Sequence, residues 1–353
     1  MALTFTDLHV HSEFSLQDGM IHIADKKDPK HVKADIVLNA ERRNTGAVAI
    51  TDHGNMYGQA VAAQVCKTFG LKHIPGCEFY LAADSRFDKS YSRRGDAYVH
   101  INAWCKNKEG YANMCRLQKA SFVDGFYYVP RIDKELIERY HDGIMWSDAC
   151  IGGTICTHIL NGNIDRAYQE FMWYLNLLKD DFYIEWHNHG IEAEDMCNQI
   201  KKEWADKHGV PIIACTDAHF YKKEDAEAHK TLLCIQYGNW LDNPTFGGFP
   251  GDGYWLLSEE ELLERYPVEY LNNTQLIVDK CEGDIIQFGE TMPPRFQVPQ
   301  DFIDSINKQN ISEEDTPQVI KRNVAVNDEK LPDYDINQWR NLDGTYKEEI
   351  DNG

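Results

Sequence analysis

The stretch "LHVHSEFSLQDG" (residues 8–19) sets two imidazoles, His9 and His11, one residue apart, with Asp18 seven further on. It closes "LTFTDLHVH" (3–11), which reads as a strand: Leu3, Phe5 and Leu8 are apolar, and the run stops at polar Ser12 and Glu13. Side chains at i and i+2 of a strand share a face, so His9 and His11 converge on one point. Neutral imidazole is the commonest metal donor, and two aimed together suit a cation. An isolated HxH is more often a pair of half-buried histidines bonded to backbone. What decides is whether other strands end the same way.

They do. The stretch "GAVAITDH" (46–53) ends in Asp52 and His53, and "HIPGCEFYLA" (73–82) carries Glu78. His100 lies in "AYVHINAWC" (97–105), and Cys150 closes "GIMWSDAC" (143–150). "VPIIACTDAH" (210–219) ends in Asp217 and His219, a second same-face pair at i and i+2. In a closed barrel the first and seventh strands are neighbours, which sets His9, His11, Asp217 and His219 side by side. The donor set is then His9, His11, Asp18, His53, Glu78, His100, Cys150, Asp217 and His219. Imidazole, carboxylate and thiolate together suit zinc, manganese or iron. Nine donors exceed what one four-coordinate ion takes. Several ions sharing a carboxylate is the natural solution, and Glu78, deep on its strand, is the candidate bridge.

The elements that position these groups alternate. Seven strand-like runs, including "FYIEWHNHG" (182–190), are separated by segments with a three-to-four residue apolar period. "HVKADIVLNAERRNT", "GQAVAAQVCKTFGL", "KEGYANMCRLQKASF", "NIDRAYQEFMWYLNLLKD" and "AEDMCNQIKKEWADKHG" are the helical ones, with Gly70 and Gly209 where C-caps belong. Such alternation predicts βα units around a parallel sheet. Seven units with polar strand ends predict a (β/α) barrel with its site at the C-terminal rim; a doubly wound open sheet is the alternative. Residues 220–300 read as a helical extension, with a capping box at Ser258 and Glu261. Residues 301–353 are acidic and aperiodic, which predicts an irregular arm. The domain reading is therefore 1–300, then a tail.

The chain has 353 residues, 42% hydrophobic and 26% charged, as in globular proteins. It shows neither a membrane-span run nor a signal-peptide pattern, so the expectation is cytoplasmic, with no membrane partner. Ten cysteines form no CxxC pair and read as reduced, buried thiols. A formal charge of -21 excludes a protein that coats nucleic acid through a basic surface. It does not exclude an enzyme that holds one phosphodiester through cations, because bound ions invert the local sign.

The segments "LHVHSEFSLQDG", "AVAITDHGNMYG", "IPGCEFYLA", "KNKEGYANMCRLQKAS", "VPIIACTDAHF", "EDAEAHKTLLCIQYG" and "MPPRFQVP" together resemble the PHP (polymerase and histidinol phosphatase) domain of bacterial replicative DNA polymerase III alpha subunits. The match runs in order from residue 3 to about 300. The resemblance implies a distorted (β/α)7 barrel, a trinuclear metal centre and, in some members, 3′-5′ exonuclease or phosphoesterase activity. It implies that His9, His11, Glu78 and Asp217 hold one ion; Glu78, His100 and Cys150 a second; Asp18, His53 and His219 a third. Three divalent ions are expected, zinc or manganese, with iron or magnesium as alternatives. Two departures stand out. The polymerase domains of the family do not follow within the 353 residues, which predicts a free-standing or split form. The segment "MIHIADKKDPKHVKAD" after Asp18 is longer than the family's usual link.

The expected reaction is hydrolysis of a 3′-terminal DNA phosphodiester during replication, by water activated at His9, His11, Glu78 and Asp217 through the cations. His187 and His189 in "EWHNHG" are candidate contacts to phosphate or leaving group, against an equal case for strand-end hydrogen bonding. Arg93 and Arg94 are weaker candidates for a backbone phosphate. Asp52 is a candidate second-layer partner that orients an imidazole. His229 reads as structural, and the aromatics of "FYYVP" as core or interface. Two alternatives remain: a catalytically silent platform that docks a separately encoded polymerase or other replication protein, and a small-molecule phosphatase of the histidinol phosphatase type. Inactive family members usually lack ligands, so an intact nine favours catalysis.

Overall fold

The structure is a computed structural model that describes residues 3–16, 18–24, 34–43, 45–243 and 246–289. The acidic tail, the "MPPRFQVP" segment and most of the long link after Asp18 lie outside the described residues. The described residues up to Gln287 belong to one compact unit.

In chain order the elements are α1 (Asp35–Arg43), β1 (Ala47–Ile50), α2 (Gln59–Phe69), β2 (Lys72–Ala82), β3 (Tyr98–Cys105), α3 (Lys108–Val123), β4 (Arg131–Ile132), α4 (Lys134–Tyr140) and β5 (Ile144–Ser147). There follow α5 (Thr154–Leu160), α6 (Ile164–Leu178), β6 (Phe182–Trp186), α7 (Glu192–His208), β7 (Ile212–Ala214), α8 (Ala226–Tyr237), α9 (Glu259–Arg265) and α10 (Val268–Lys280). The sheet runs β1-β2-β3-β5-β6-β7, with β4 also on β2. It is a curled mixed sheet, the distorted barrel expected, and helices pack around it.

The first expected strand is not a regular ladder. Residues 7–11 instead bridge the two sheet edges: Val10 pairs parallel with Ala218. The His11 amide donates to the Ala218 carbonyl at 2.8 Å, and the Thr51 amide donates to the Val10 carbonyl at 2.9 Å. His9 and His11 are thereby carried between the ends of β1 and β7, beside Asp217 and His219.

The all-parallel expectation is corrected at β3, which runs antiparallel to both β2 and β5. The reason is topological. A parallel return needs a crossover of a dozen or more residues, usually a helix. The β2–β3 connection holds only a three-residue 3-10 turn, Arg94–Asp96.

Local chemistry sets the boundaries. Gly70 and Gly209 both adopt φ of 71°, the left-handed cap that glycine takes without a Cβ penalty. Ser258 and Glu261 form the expected capping box on α9. Asn107 caps α3 and Asp133 caps α4 through side-chain acceptors. Gly76, in β2, has no room for a side chain: a Cβ there would lie 2.8 Å from the Ile50 carbonyl oxygen. The core runs beneath the sheet and is built from Phe79, Trp104, Trp146, Phe171, Phe182 and Ile213, all fully buried. The helical extension folds back onto the barrel, where the Asn273 amide donates to the Ile212 carbonyl of β7.

Candidate metal centre

All nine sequence-predicted donors come to one rim. Glu78 is at the middle and is 1% exposed. Its Oε1 lies 2.9 Å from His100 Nδ1, 3.3 Å from His9 Nε2 and 3.7 Å from Cys150 Sγ. Its Oε2 lies 2.5 Å from His53 Nδ1 and 3.7 Å from His11 Nε2. Asp217 Oδ1 is 3.0 Å from His11 Nε2 and 3.3 Å from His9 Nε2. Asp18 Oδ2 is 3.4 Å from His53 Nε2. The His219 ring stacks on that of His11, centroids 4.2 Å apart. Asp217 is reached by a backbone φ of 48°, a left-handed conformation that Asp tolerates better than most residues. That turn leaves β7 and directs the carboxylate toward both histidines.

Three imidazoles are fixed in the tautomer that suits a metal. His9 Nδ1 is 2.8 Å from the Glu185 carboxylate, an acceptor, so Nδ1 carries the hydrogen. Ser15 donates its hydroxyl hydrogen to Asp52, and so accepts from His11 Nδ1 at 3.0 Å. His219 Nδ1 donates to the Asp217 backbone carbonyl at 2.8 Å. In each case the Nε2 lone pair is left free, and each Nε2 is buried without a hydrogen-bond partner. Asp18 Oδ1, Glu78 Oε2 and Asp217 Oδ1 are likewise buried and unbonded. Buried polar atoms in folded proteins nearly always find partners. A set of orphaned donors on one rim fits divalent cations. Close triads of possible ligand atoms are His11, His53 and His219; His9, His11 and Asp217; His9, Glu185 and His187; and His53, Glu78 and His100.

The electrostatics agree. Burial works to raise the Glu78 and Asp217 carboxyls, yet the neighbouring imidazoles hold both well below the ordinary range. Burial, then His53 and His219, drives His11 down to about 3. Burial opposes protonation of His9, but Asp217, Glu185 and Glu78 lift it well above its ordinary value. Burial and the Glu78 and Asp217 carboxylates push the Cys150 thiol far up, so its thiolate needs a cation beside it.

The outer layer is partly as expected. Asp52 accepts from the Ser12 amide and from the hydroxyls of Ser12 and Ser15, and reaches His11 through Ser15. Its carboxyl is pushed up to about 6 by burial, against those hydrogen bonds. His187 is buried, with Nε2 on Glu185 and Nδ1 unbonded. His189 is not available as a phosphate contact: Nδ1 is held by Glu194 at 2.7 Å and Nε2 lies 2.9 Å from the Thr216 carbonyl. Its fixed second bond is structural, as the hydrogen-bonding alternative held. Arg93 is exposed on the β2–β3 connection, and the side chain of Arg94 lies outside the described residues.

Sequence reasoning missed Glu185. Its fully buried carboxylate gathers His9, His187, Asn102 and Ser147. The signal was present: an acid inside the apolar run "FYIEW", two residues from His187 and so on the same face. Lys201 was also missed. It is buried on α7, paired with Asp148 at 2.8 Å, and donates to the Glu185 carbonyl.

The chain belongs to the PHP domain family, whose model matches residues 7–189. Among full-length relatives, the DNA polymerase III subunit alpha of Borreliella burgdorferi is 35% identical over 300 residues, covering 84% of this chain and 25% of that protein. The subunit of the same name from Thermus aquaticus is 35% identical over 307 residues, covering 84% of this chain and 24% of that protein. The chain thus spans about a quarter of the length of these relatives. Among solved structures, an amidohydrolase from Chromobacterium violaceum aligns with a TM-score of 0.35 and 16% identity, covering 61% of this chain and 88% of that one. A two-domain protein from Bacteroides vulgatus containing a predicted PHP-like metal-dependent phosphoesterase gives a TM-score of 0.33 and 16% identity, covering 61% and 52%. No helix among the described residues is long and apolar enough to cross a membrane.

Proposed function

We propose that this chain is a metal-dependent phosphoesterase that hydrolyses the 3′-terminal phosphodiester of DNA, working with a replicative polymerase in the cytoplasm. The observation that carries the reading is the cluster of buried imidazole nitrogens and carboxylate oxygens that lack hydrogen-bond partners and face one rim. Divalent cations, when bound, lower the pKa of water and neutralise phosphoryl oxygens.

The chain's residues divide the remaining work. His9, His11, Glu78 and Asp217 would hold one ion, His100 and Cys150 with Glu78 a second, and Asp18, His53 and His219 a third. Zinc or manganese suits this mixed set. Glu185 and the Asp52–Ser15 pair hold His9 and His11 with their Nε2 atoms inward. The burial of these groups excludes bulk water and strengthens each electrostatic contact. His187, its ring 5.5 Å from that of His9, offers an unbonded Nδ1 to the substrate. The names of the relatives point to DNA and a polymerase as partners, whether on the same or a separate chain.

The test uses metal-loaded protein with 3′-labelled single-stranded DNA and, in parallel, small phosphate monoesters. Release of the labelled 3′-terminal nucleotide is expected, with more than one ion per chain by elemental analysis. The double variant His9→Ala/Asp217→Ala should lose cleavage and keep its circular dichroism spectrum. Metal-replete protein that cleaves neither substrate overturns the proposal in favour of a docking platform. Cleavage of monoesters alone moves it to a small-molecule phosphatase.

A further inference from the structure

Helix α7 packs on β6, and part of the side it buries is polar. Glu194, Asn198 and Lys201 stand at i, i+4 and i+7, so they form one stripe, and all three are buried. Each bonds the main chain of a residue in β6 or just past its end. Lys201 Nζ donates to the Glu185 carbonyl at 2.8 Å, and Asn198 Nδ2 donates to the His187 carbonyl at 2.8 Å. The Glu194 carboxylate accepts from the His189 amide at 2.7 Å.

The strand needs these bonds at that place. The β5–β6 ladder ends at Ser147 and Tyr183. Two residues further on, the Glu185 amide donates to Asp148 Oδ1 at 2.8 Å, and its carbonyl is taken by Lys201. Side chains thus bond the Glu185 main chain after the ladder has stopped. Asp148 and Lys201 also pair with each other at 2.8 Å, both buried. A buried ion pair is a poor source of stability, since apolar side chains of similar volume often serve as well or better. Apolar side chains could not bond the main chain of Glu185. That residue holds His9 Nδ1 and His187 Nε2 on its carboxylate, and Asp148 stands two residues before Cys150. The pair therefore joins two strand ends that serve the proposed ligands.

We propose that Lys201, paired with Asp148, and Asn198 are positioning residues of the metal centre. They fix the end of β6 so that Glu185 reaches His9 and turns its Nε2 inward. The assignment rests on the metal-centre reading and names the groups that hold it from outside. Glu194 completes the stripe without acting on the centre, because its partner His189 has both ring nitrogens bonded elsewhere, to Glu194 and to the Thr216 carbonyl.

The test compares full-length wild type with three variants. Asn198→Leu keeps the size and removes the donor to the His187 carbonyl. Lys201→Met/Asp148→Asn removes the ion pair and the bond to the Glu185 carbonyl. Glu194→Gln is the control on the same stripe. Zinc affinity is read by chelator competition, stability by urea titration, and ligand geometry by the visible absorption of the cobalt(II)-loaded protein. The first two variants should each lose about fivefold in affinity, the worth of one net hydrogen bond, and should shift the cobalt spectrum. Glu194→Gln should lower stability and keep both affinity and spectrum. Wild-type affinity and spectrum in the first two variants overturn the positioning role. An equal loss in all three, following stability, overturns it as well. Wild type that binds metal but hydrolyses no ester, with the first two variants still impaired in affinity, keeps the role and overturns the phosphoesterase. Wild type that takes up no metal overturns both.

Discussion

The carboxylate of Glu185 touches no more than one proposed ligand, yet its removal should cost metal affinity. It is fully buried and takes four donors: His9 Nδ1 and His187 Nε2, each at 2.8 Å, Asn102 Nδ2 at 3.1 Å, and the Ser147 hydroxyl. In Glu185→Gln the charge is lost, and one oxygen becomes an NH2 that faces a donor. A hydrogen bond to a charged group contributes about 1.5–3 kcal/mol. At about 1.4 kcal/mol per tenfold, losing the His9 bond alone predicts a ~10–100-fold drop in affinity. That range is what removal of an outer partner of a metal-binding histidine typically costs. Chelator-competition titration of zinc or manganese measures it directly. The control is Glu194→Gln, which removes the partner of His189 at 2.7 Å and leaves His9 alone. It should lower stability and keep the affinity. Equal affinity in wild type and Glu185→Gln would refute the claim that His9 is held for a cation by this carboxylate. An equal loss in both variants would show a general effect of stability instead.

Three other perturbations follow from the same structure. Lys201→Met leaves the buried Asp148 carboxylate unpaired and should destabilise the fold by about 3–5 kcal/mol in urea titration, while Lys201→Met/Asp148→Asn should recover most of the loss. His73 is buried, and burial lowers it to about 3. The unfolded chain therefore takes that proton first as pH falls below about 6.5, so stability is full above that value and declines toward pH 3, by about 4–5 kcal/mol at most. His73→Leu should flatten the urea-derived stability profile between pH 6.5 and 4.5 relative to wild type; parallel profiles would refute this. Chelation should lower the melting temperature, because ions at about 100 times their dissociation constant contribute about 2.7 kcal/mol to the folded state. An unchanged melting temperature, with removal of metal verified by elemental analysis, would refute it.

The sheet was legible wherever the apolar runs are bounded by turn chemistry. β2 and β3 lie within a residue of their expected limits, since "KHIPGCEFYLA" and "YVHINAWC" are buried along most of their length. The runs ending "WSDAC", "WHNHG" and "CTDAH" continue past the ladders of β5, β6 and β7, because the polar ends leave the sheet to form the rim. Composition cannot separate a strand's last residue from the loop that carries its ligand. β4, α4 and α5 were not anticipated. Two residues of strand have no period to read, and seven-residue helices show less than two clear turns. The reversal at β3 was readable, because no helical pattern lies between Ala82 and Tyr98 to carry a parallel crossover.

The ligand set was more legible than what surrounds it, for a physical reason. A donor at a strand end is constrained by type, since only imidazole, carboxylate or thiolate serves, and by the two-residue period of the strand. HxH and DxH pairs therefore stand out in sequence. The groups that orient them are constrained only by reach. Ser15 and Glu185 act from a loop and from β6, at separations of 4 and 176 residues from the histidines they hold, whereas Asp52 was anticipated because it adjoins the ligand His53. No period links such partners, and a serine is common enough to carry no signal. An outer-layer residue becomes visible once the structure shows which hydrogen bond it completes or which one it still lacks.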